Sequence, residues 1–160
     1  MENKEIKGFV GDYTFLSNFY PCDVVYKGIK YPSVEHFYVA IKSNSDQIID
    51  RIIYTDLEFK KYIASLEKAS KVKKIGKNIV IRSDWESIKD SIMYYGLTQK
   101  FKDNELLDKL LSTKHSKLIE SNLWHDNYWG SCLCQKCKNN GKNKLGKLLM
   151  IIRDKNNLFF

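Results

Sequence analysis

The sequence has few of the residues that separate domains or anchor a chain in a membrane. Only two of its 160 residues are proline, and it has no internal repeat, low-complexity segment or proline-rich linker. It also lacks any run of about 18 apolar residues, the length that spans a bilayer. The first residues, Met-Glu-Asn-Lys-Glu, do not follow the basic-then-apolar order of a signal peptide. We therefore expect a single domain over residues 1–160 and a cytoplasmic protein without membrane contact.

Acidic residues are the scarcer charged group. The sequence has 19 Asp and Glu against 27 Lys and Arg, so its formal net charge is +8. The basic excess falls largely within residues 68–82 and 136–147. Such density favours a partner that carries phosphate, either a nucleotide or the backbone of a nucleic acid. The alternative is a lysine-rich surface that faces only solvent.

Cysteine is also sparse, but its spacing is informative. Of four cysteines, three form a C-x-C-x-x-C run at Cys132, Cys134 and Cys137. This spacing lets thiolates converge on one metal ion, and a structural zinc site normally has four ligands. The candidates for a fourth ligand are Cys22, His115 and His125. The alternative is a reduced loop whose thiols have no role.

The first part of the chain is predicted to contain short strands and then a helix. We expect a strand at residues 8–13 and a hairpin over residues 23–31 that turns at Lys27-Gly28. Ser33 follows Pro32 and is suited to cap a helix whose buried stripe holds Val34, Phe37 and Ile41. Glu35, Tyr38 and Lys42 then share a neighbouring face of that helix.

The rest of the chain is predicted to be mainly helical. The apolar pattern of residues 45–77 indicates helix with a break near Thr55-Asp56. A capping-box pattern at residues 83–86 opens a helix that runs to about Phe101, with Trp85, Ile88, Ile92 and Tyr95 as its stripe. We further expect helices at residues 104–111 and 144–152 and a strand at residues 117–120. Strands first and helices mostly afterwards predict an α+β fold, as one compact domain.

Two segments have the composition of ligand-binding loops rather than of core elements. Residues 124–130 and 141–146 combine a carboxylate, an imidazole, aromatic rings and glycines, and residues 31–38 form a second cluster of this kind. If the two clusters meet, they supply a pair of carboxylates framed by aromatic side chains. That combination suits chemistry on a flat nitrogenous ring attached to a sugar.

Several motifs in order along the chain resemble the YbiA-like, or NADAR, family of N-glycosidases. They are Phe15-Leu16-Ser17-Asn18-Phe19, Tyr31 to Tyr38 with Lys42, Asp84-Trp85 with Met93, and Asp126 to Gly130 with Gly141 to Gly146. The resemblance extends over nearly the whole chain, from about residue 9 to Arg153. The chain departs from the family at Thr113-Lys114, where a threonine-glycine pair is frequent, and the cysteine-bearing segment occurs in only part of the family.

The resemblance implies an α+β domain that hydrolyses the C–N bond between a ribose and an amino-substituted pyrimidine or purine. Ribosylaminopyrimidine phosphates, early intermediates of riboflavin synthesis, are the first candidate substrates. ADP-ribose attached to guanine in nucleic acid is the second. A non-catalytic module that binds ADP-ribose or NAD derivatives is the alternative from another functional class. No organic cofactor is expected, and zinc at the cysteines would be structural.

The resemblance also assigns roles to residues. Glu35, Lys42 and Asp126 are the predicted catalytic residues. The predicted substrate-binding residues are Ser17, Asn18, Phe19, Tyr38, Trp85, Tyr128, Trp129, Gly130 and Asn143. More general roles compete with these: Asp126 and Asn143 are suited to turns, and Trp85 and Trp129 to a core. Glu35 and Lys42 are equally suited to an exposed ion pair.

The predicted reaction explains why these residue types are needed. Breaking a ribosyl C–N bond builds positive charge on the sugar, which a carboxylate stabilises, and the departing amine needs a proton. Glu35 and Asp126 are able to divide those tasks. Lys42 offers another route, because a neutral amine attacks the C1 aldehyde of an opened ribose and forms a Schiff base. The sequence leaves open whether Lys42 is a nucleophile or an electrostatic anchor.

Overall fold

The computed structural model describes residues 4–157, which divide into two compact units. The central unit is the segment from Asn18 to Lys100, and the terminal unit combines the described residues up to Ser17 with those from Phe101 onward. No helix within residues 4–157 has the length and apolar character that crossing a bilayer requires.

The central unit begins with a hairpin of the predicted kind. Strands β2 (Val24–Tyr26) and β3 (Ile29–Tyr31) pair antiparallel. The turn between them consists of Lys27 and Gly28, whose φ angles of 47° and 76° lie in the left-handed region. Glycine reaches that region without strain, so the predicted Lys27-Gly28 turn is confirmed.

Helices make the core of the central unit. Helix α1 (Val34–Ile41) packs against α2 (Asp56–Ser65), α3 (Ala69–Ile75) and α4 (Trp85–Lys100). Thr55 caps α2 through a reciprocal capping box with Glu58, as the predicted break implied. The stripe of α1 is confirmed, since Val34, Phe37 and Ile41 are all buried.

The terminal unit joins the two ends of the described chain. Strand β1 (Glu5–Lys7) pairs parallel with β6 (Lys117–Ile119), and a short 3₁₀ helix occupies Gly11–Leu16. Helix α6 (Lys144–Asn157) packs on β6 and on α5 (Asn104–Ser112). Strands β7 (Ser121–Asn122) and β8 (Ser131–Cys132) form a second parallel pair.

Three local predictions were wrong. Residues 8–13, predicted as a strand, instead follow the end of β1 at Lys7 and enter the 3₁₀ helix, because Gly11 has a φ of 57° and turns the chain. The first part of the helix predicted over residues 45–77 is a hairpin of β4 (Gln47–Ile49) and β5 (Ile52–Tyr54). In α4 the buried stripe consists of Trp85, Met93, Gly96, Leu97 and Lys100, rather than Ile88, Ile92 and Tyr95.

The departure from the family at Lys114 coincides with an unusual backbone conformation. Thr113 ends α5, and the next residue, Lys114, has a φ of 51°. Glycine is the usual residue just beyond a helix in this left-handed conformation. The lysine therefore adopts the backbone conformation that the frequent glycine of the family would favour.

Candidate active site

The start of helix α1 brings Glu35 next to Asn18. Ser33 caps the helix, because its hydroxyl oxygen accepts a hydrogen bond from the backbone N–H of His36. The backbone N–H of Glu35 donates to the carbonyl oxygen of Asn18 over 3.0 Å. A capped first turn is a rigid position, and the positive end of the helix dipole favours a carboxylate there.

Asn18 has a polar atom that needs a partner. Its side-chain nitrogen donates to the sulfur of Met93 over 3.4 Å. Among the described residues, its Oδ1 atom is buried without a hydrogen-bond partner. Buried acceptors of this kind are rare because they lose hydration, so they are candidates for ligand contacts. The predicted role of Asn18 as a substrate-binding residue is consistent with this geometry.

Lys42 lies at the end of helix α1 and is half-buried. Its Nζ atom donates to the carbonyl oxygen of Gly76, 2.9 Å away, where helix α3 ends. Burial lowers the pKa of Lys42 below its usual value, and the carboxylates of Glu35 and Glu86 oppose that shift. The central unit thus contains a partly desolvated amine whose charged form is stabilised by two carboxylates. Sequence reasoning placed Glu86 only in the capping-box pattern of residues 83–86 and gave it no role at Lys42.

The aromatic residues of the central unit differ in exposure. Trp85 is only 4% exposed, and its ring meets that of Tyr38 edge-on at a centroid distance of 4.9 Å. Trp85 therefore serves as a core residue, and its predicted stacking on a base stays a prediction. Phe19 is 39% exposed, and the Nζ atom of Lys73 lies 5.6 Å from its ring centroid. An open ring beside a cation suits a phosphorylated aromatic ligand.

In the terminal unit, Asp126 organises a turn. Its Oδ1 atom accepts hydrogen bonds from the backbone N–H groups of Tyr128 and Trp129 at 3.1 and 2.9 Å. Asn122, which sequence reasoning missed, donates to the backbone carbonyl of Asp126 and accepts from its N–H. The carboxylate thus has a structural role, and its predicted catalytic role stays a prediction.

Asn143 also binds backbone groups. Its side chain accepts from the N–H of Glu120 at 3.0 Å and donates to the carbonyl of Leu118 at 2.8 Å. Gly130 lies close by, and a Cβ atom there would come within 2.3 Å of the Glu120 carbonyl oxygen. Asn143 and Gly130 therefore have structural roles in packing the backbone, and these contacts do not test their predicted substrate binding.

The remaining predicted residues of this unit are partly accessible. The rings of Tyr128 and Trp129 meet edge-on at 5.0 Å, and both residues are half-buried. The Nζ atoms of Lys142 and Lys144 lie 5.2 and 5.8 Å from the Tyr128 ring centroid. Ser17 follows the 3₁₀ helix and is half-buried as well.

The three clustered cysteines converge with one histidine. One ligand atom from each of His125, Cys132, Cys134 and Cys137 lies within 4.8 Å of the others. Of the three predicted candidates for a fourth ligand, the structure therefore places His125 at the thiols. The sequence left the fourth ligand open because six residues lie between His125 and the nearest cysteine.

Comparison with known proteins defines the family. A family model described as the NADAR domain matches residues 7–156. N-glycosidase YbiA of Shigella boydii is 32% identical over 89% of this chain and 81% of its own length. A riboflavin biosynthesis protein of Vibrio vulnificus is 29% identical over 89% of this chain, which spans 35% of that protein. The NMR structure of YbiA from Escherichia coli matches with a TM-score of 0.77 and 28% identity, covering 99% of this chain and 88% of that one.

These matches, which span both units, place the chain in a class of mixed α and β domains. The chain belongs to the NADAR domain family. The predicted family resemblance and the predicted α+β fold are thereby confirmed.

Proposed function

We propose that the protein is an N-glycosidase that cleaves the bond between ribose phosphate and an amino-substituted pyrimidine, as in the ribosylaminopyrimidine phosphates of riboflavin synthesis. The relatives named N-glycosidase confirm the expectation of a hydrolase for N-glycosyl compounds. The riboflavin-related names of other relatives support the choice of substrate. The observation that carries the proposal is that helix α1 holds Glu35 in its first turn and, at its other end, the half-buried amine of Lys42, which the Gly76 carbonyl oxygen fixes at 2.9 Å.

This pairing suits a covalent route. Burial favours the neutral form of Lys42, which is the nucleophilic form. In the proposed reaction the C1–O bond of the ribose ring breaks as the ring oxygen takes the proton of the exocyclic nitrogen, which leaves C1 joined to that nitrogen as an imine. The Lys42 amine adds to C1, Glu35 protonates the exocyclic nitrogen, and the C1–N bond breaks to release the pyrimidine as a neutral amine. The resulting imine between Nζ and C1 is then hydrolysed by water. Glu35 exchanges the protons that these steps require.

The surroundings of this pair support a phosphorylated substrate. Asn18 presents a buried acceptor beside Glu35, and Phe19 presents an exposed ring beside Lys73. Helix α3 carries further basic residues at Lys71 and Lys74 and ends at the carbonyl that binds Lys42. We assign the base to the aromatic and amide groups and the phosphate to the lysines. A catalytic role of Asp126 is proposed from the family motif alone.

Borohydride trapping tests the mechanism. During turnover of ribosylaminopyrimidine phosphate, borohydride should reduce the imine to a secondary amine and leave the sugar phosphate on Lys42, located by peptide mass spectrometry. Lys42→Arg keeps the charge but forms no imine, so it should lose activity, whereas the control Lys61→Arg, which changes an exposed lysine of α2, should react normally. An active, untrappable Lys42→Arg variant would contradict the covalent route and favour direct attack by water.

A parallel assay tests the substrate. The protein is incubated separately with ribosylaminopyrimidine phosphate and with ADP-ribosylated guanine DNA, and products are followed by mass. Release of the pyrimidine alone supports the proposal. Release of ADP-ribose alone would overturn the substrate in favour of nucleic acid, and binding of ADP-ribose without any turnover would overturn the enzymatic function.

A further inference from the structure

We propose that the protein binds one Zn²⁺ ion in a structural Cys₃His site formed by His125, Cys132, Cys134 and Cys137. All four residues belong to the terminal unit. The inference does not depend on the proposed substrate, because it rests on the positions of these side chains.

The distances fit tetrahedral coordination. The Nδ1 atom of His125 lies 3.3 Å from the sulfur of Cys137, 3.4 Å from that of Cys134 and 3.8 Å from that of Cys132. With Zn–S bonds of about 2.3 Å and Zn–N bonds of about 2.0 Å, neighbouring ligand atoms of a tetrahedral site lie roughly 3.5 to 3.8 Å apart. Three thiols and one imidazole are also a ligand set that zinc prefers.

The backbone beside the cysteine sulfurs is arranged to stabilise a thiolate. The N–H of Cys137 lies 3.4 Å from the sulfur of Cys134, and the same group and the N–H of Lys138 point to the carbonyl of Cys134. Lys138 and Asn139 then adopt φ angles of 52° and 54°, which close the turn. Hydrogen bonds to a ligand atom fix its orientation and stabilise its charge, as expected around a metal ion.

A metal at this position would join two separate parts of the segment. His125 comes from the loop after β7, whereas the cysteines come from β8 and the turn beyond it. The link would fix Asp126 directly, because it follows His125. Asn127 extends the connection, since its side-chain oxygen accepts from the N–H of Cys132 and its carbonyl accepts from the N–H of Lys142.

The charges are compatible with binding. Three thiolates exceed the charge of Zn²⁺ by one, and the same stretch of sequence supplies Lys136, Lys138 and Lys142. Lys136 and Lys138 are exposed. Zinc would therefore serve as a cross-link that holds the loop bearing Asp126, Tyr128 and Trp129, without taking part in the chemistry.

Metal analysis of the full chain tests the proposal. Protein produced with zinc sulfate in the medium and purified without chelator should contain about one zinc per chain. The Cys137→Ser and His125→Ala variants should lose most of the metal, whereas Cys22→Ser, which changes a cysteine of the central unit, should keep it. Cobalt added to the metal-free wild type should produce the intense absorption of thiolate coordination.

A second measurement covers variants that fail to fold. Limited proteolysis of the wild type should cut within residues 123–143 after chelation, and added zinc should restore protection. Wild-type protein with less than about a tenth of an equivalent of zinc and no cobalt absorption would overturn the proposal. Full zinc content in both ligand variants, or a disulfide among the cluster thiols of freshly purified protein, would overturn it as well.

Discussion

Glu35 and Asp126, the two predicted catalytic carboxylates, belong to units that position them by different means. Glu35 stands in the first turn of a capped helix whose other faces pack against three helices. Asp126 lies between β7 and β8 in a segment with little regular structure, where its side chain binds two backbone N–H groups. Packing holds the first residue, and local hydrogen bonds hold the second.

This difference indicates how far the local geometry at each position depends on the residue's own side chain. The geometry of Glu35 is set by the Ser33 cap and the apolar stripe of α1, so changing its carboxylate leaves the helix in place. The geometry around Asp126 is set partly by Asp126 itself. A loss of activity on changing Asp126 therefore mixes chemistry with structure, whereas a loss on changing Glu35 reports chemistry more directly.

The largest expected effect concerns glycines in the two units. A Cβ atom at Gly146 would come within 2.1 Å of the carbonyl oxygen of Leu118, whereas one at Gly96 would meet the Phe37 side chain at 3.0 Å. Backbone cannot move aside as a ring can. We expect Gly146→Ala to lower the free energy of unfolding by about 3 kcal/mol or more.

Gly96→Ala is the matched control for that substitution, because both glycines lie within helices. Its helix propensity gain of about 1 kcal/mol should offset most of the packing cost, so stability should change little. Urea denaturation followed by circular dichroism measures both variants. Equal losses of unfolding free energy in Gly146→Ala and Gly96→Ala would show that the close backbone contact at Gly146 has no special effect on stability.

The second prediction separates structure from chemistry at Asp126. Asp126→Ala removes the acceptor of two backbone hydrogen bonds and should cost about 2 kcal/mol. Asp126→Asn keeps an oxygen in that place and should stay within about 1 kcal/mol of the wild type, as should Glu35→Gln. Thermal and urea unfolding measure all three. A stable Asp126→Ala variant would mean that the turn does not need the carboxylate.

Sequence reasoning succeeded best where one helix face or one cap decided the outcome. The start of α1 at Ser33 and the start of α2 at Thr55 followed from their capping chemistry. It failed at β4 and β5, where the isoleucines matched a helical period. Asp50 and Arg51 adopt φ angles of 51° and 68° there, and the turn favours a hairpin of β-branched residues.

The site was predictable to a similar degree. The residues at the start and end of α1 follow from the helical repeat, which is why Glu35 and Lys42 could be paired from the sequence. Three other features depend on contacts between residues that are distant in sequence or lie in irregular segments. They are the influence of the Glu86 carboxylate on the pKa of Lys42, the buried Oδ1 atom of Asn18, and the position of His125 beside the cysteines. No local pattern encodes such contacts.

The third prediction is that acid weakens the helical core through His36. Its Nε2 and Nδ1 atoms lie 2.8 Å from the Leu66 carbonyl and 2.7 Å from the Ser33 hydroxyl. Burial lowers the pKa of His36 below 6.5. The unfolded chain therefore binds more protons than the folded one as the pH falls through that value, so stability drops with acidification.

Unfolding free energies measured between pH 7 and pH 5 should show this loss. His36→Gln should flatten the dependence on pH, whereas His115→Gln, which changes an exposed histidine of the terminal unit, should leave it as in the wild type. An unchanged slope in His36→Gln would place the acid-sensitive group elsewhere and weaken the contrast between the two units.

The smallest expected effect is a shift in the titration of Lys42. Burial lowers the pKa of Lys42, while Glu35 and then Glu86 oppose the shift by stabilising the charged amine. Removing either carboxylate should therefore lower the pKa of Lys42 further. The effect of Glu35→Gln should exceed that of Glu86→Gln.

Peptide mass spectrometry across a pH series measures the rate at which Lys42 is acylated. Because only the neutral amine reacts, the midpoint of the rate against pH gives the pKa of Lys42. Glu67→Gln, which removes an exposed charge from the same unit, is the control and should leave the midpoint unchanged. A rise of the midpoint in Glu35→Gln would contradict the electrostatic interaction between Glu35 and Lys42. A fall of equal size in all three variants would instead mean that net charge, rather than the position of Glu35 on the packed helix, sets the reactivity of Lys42.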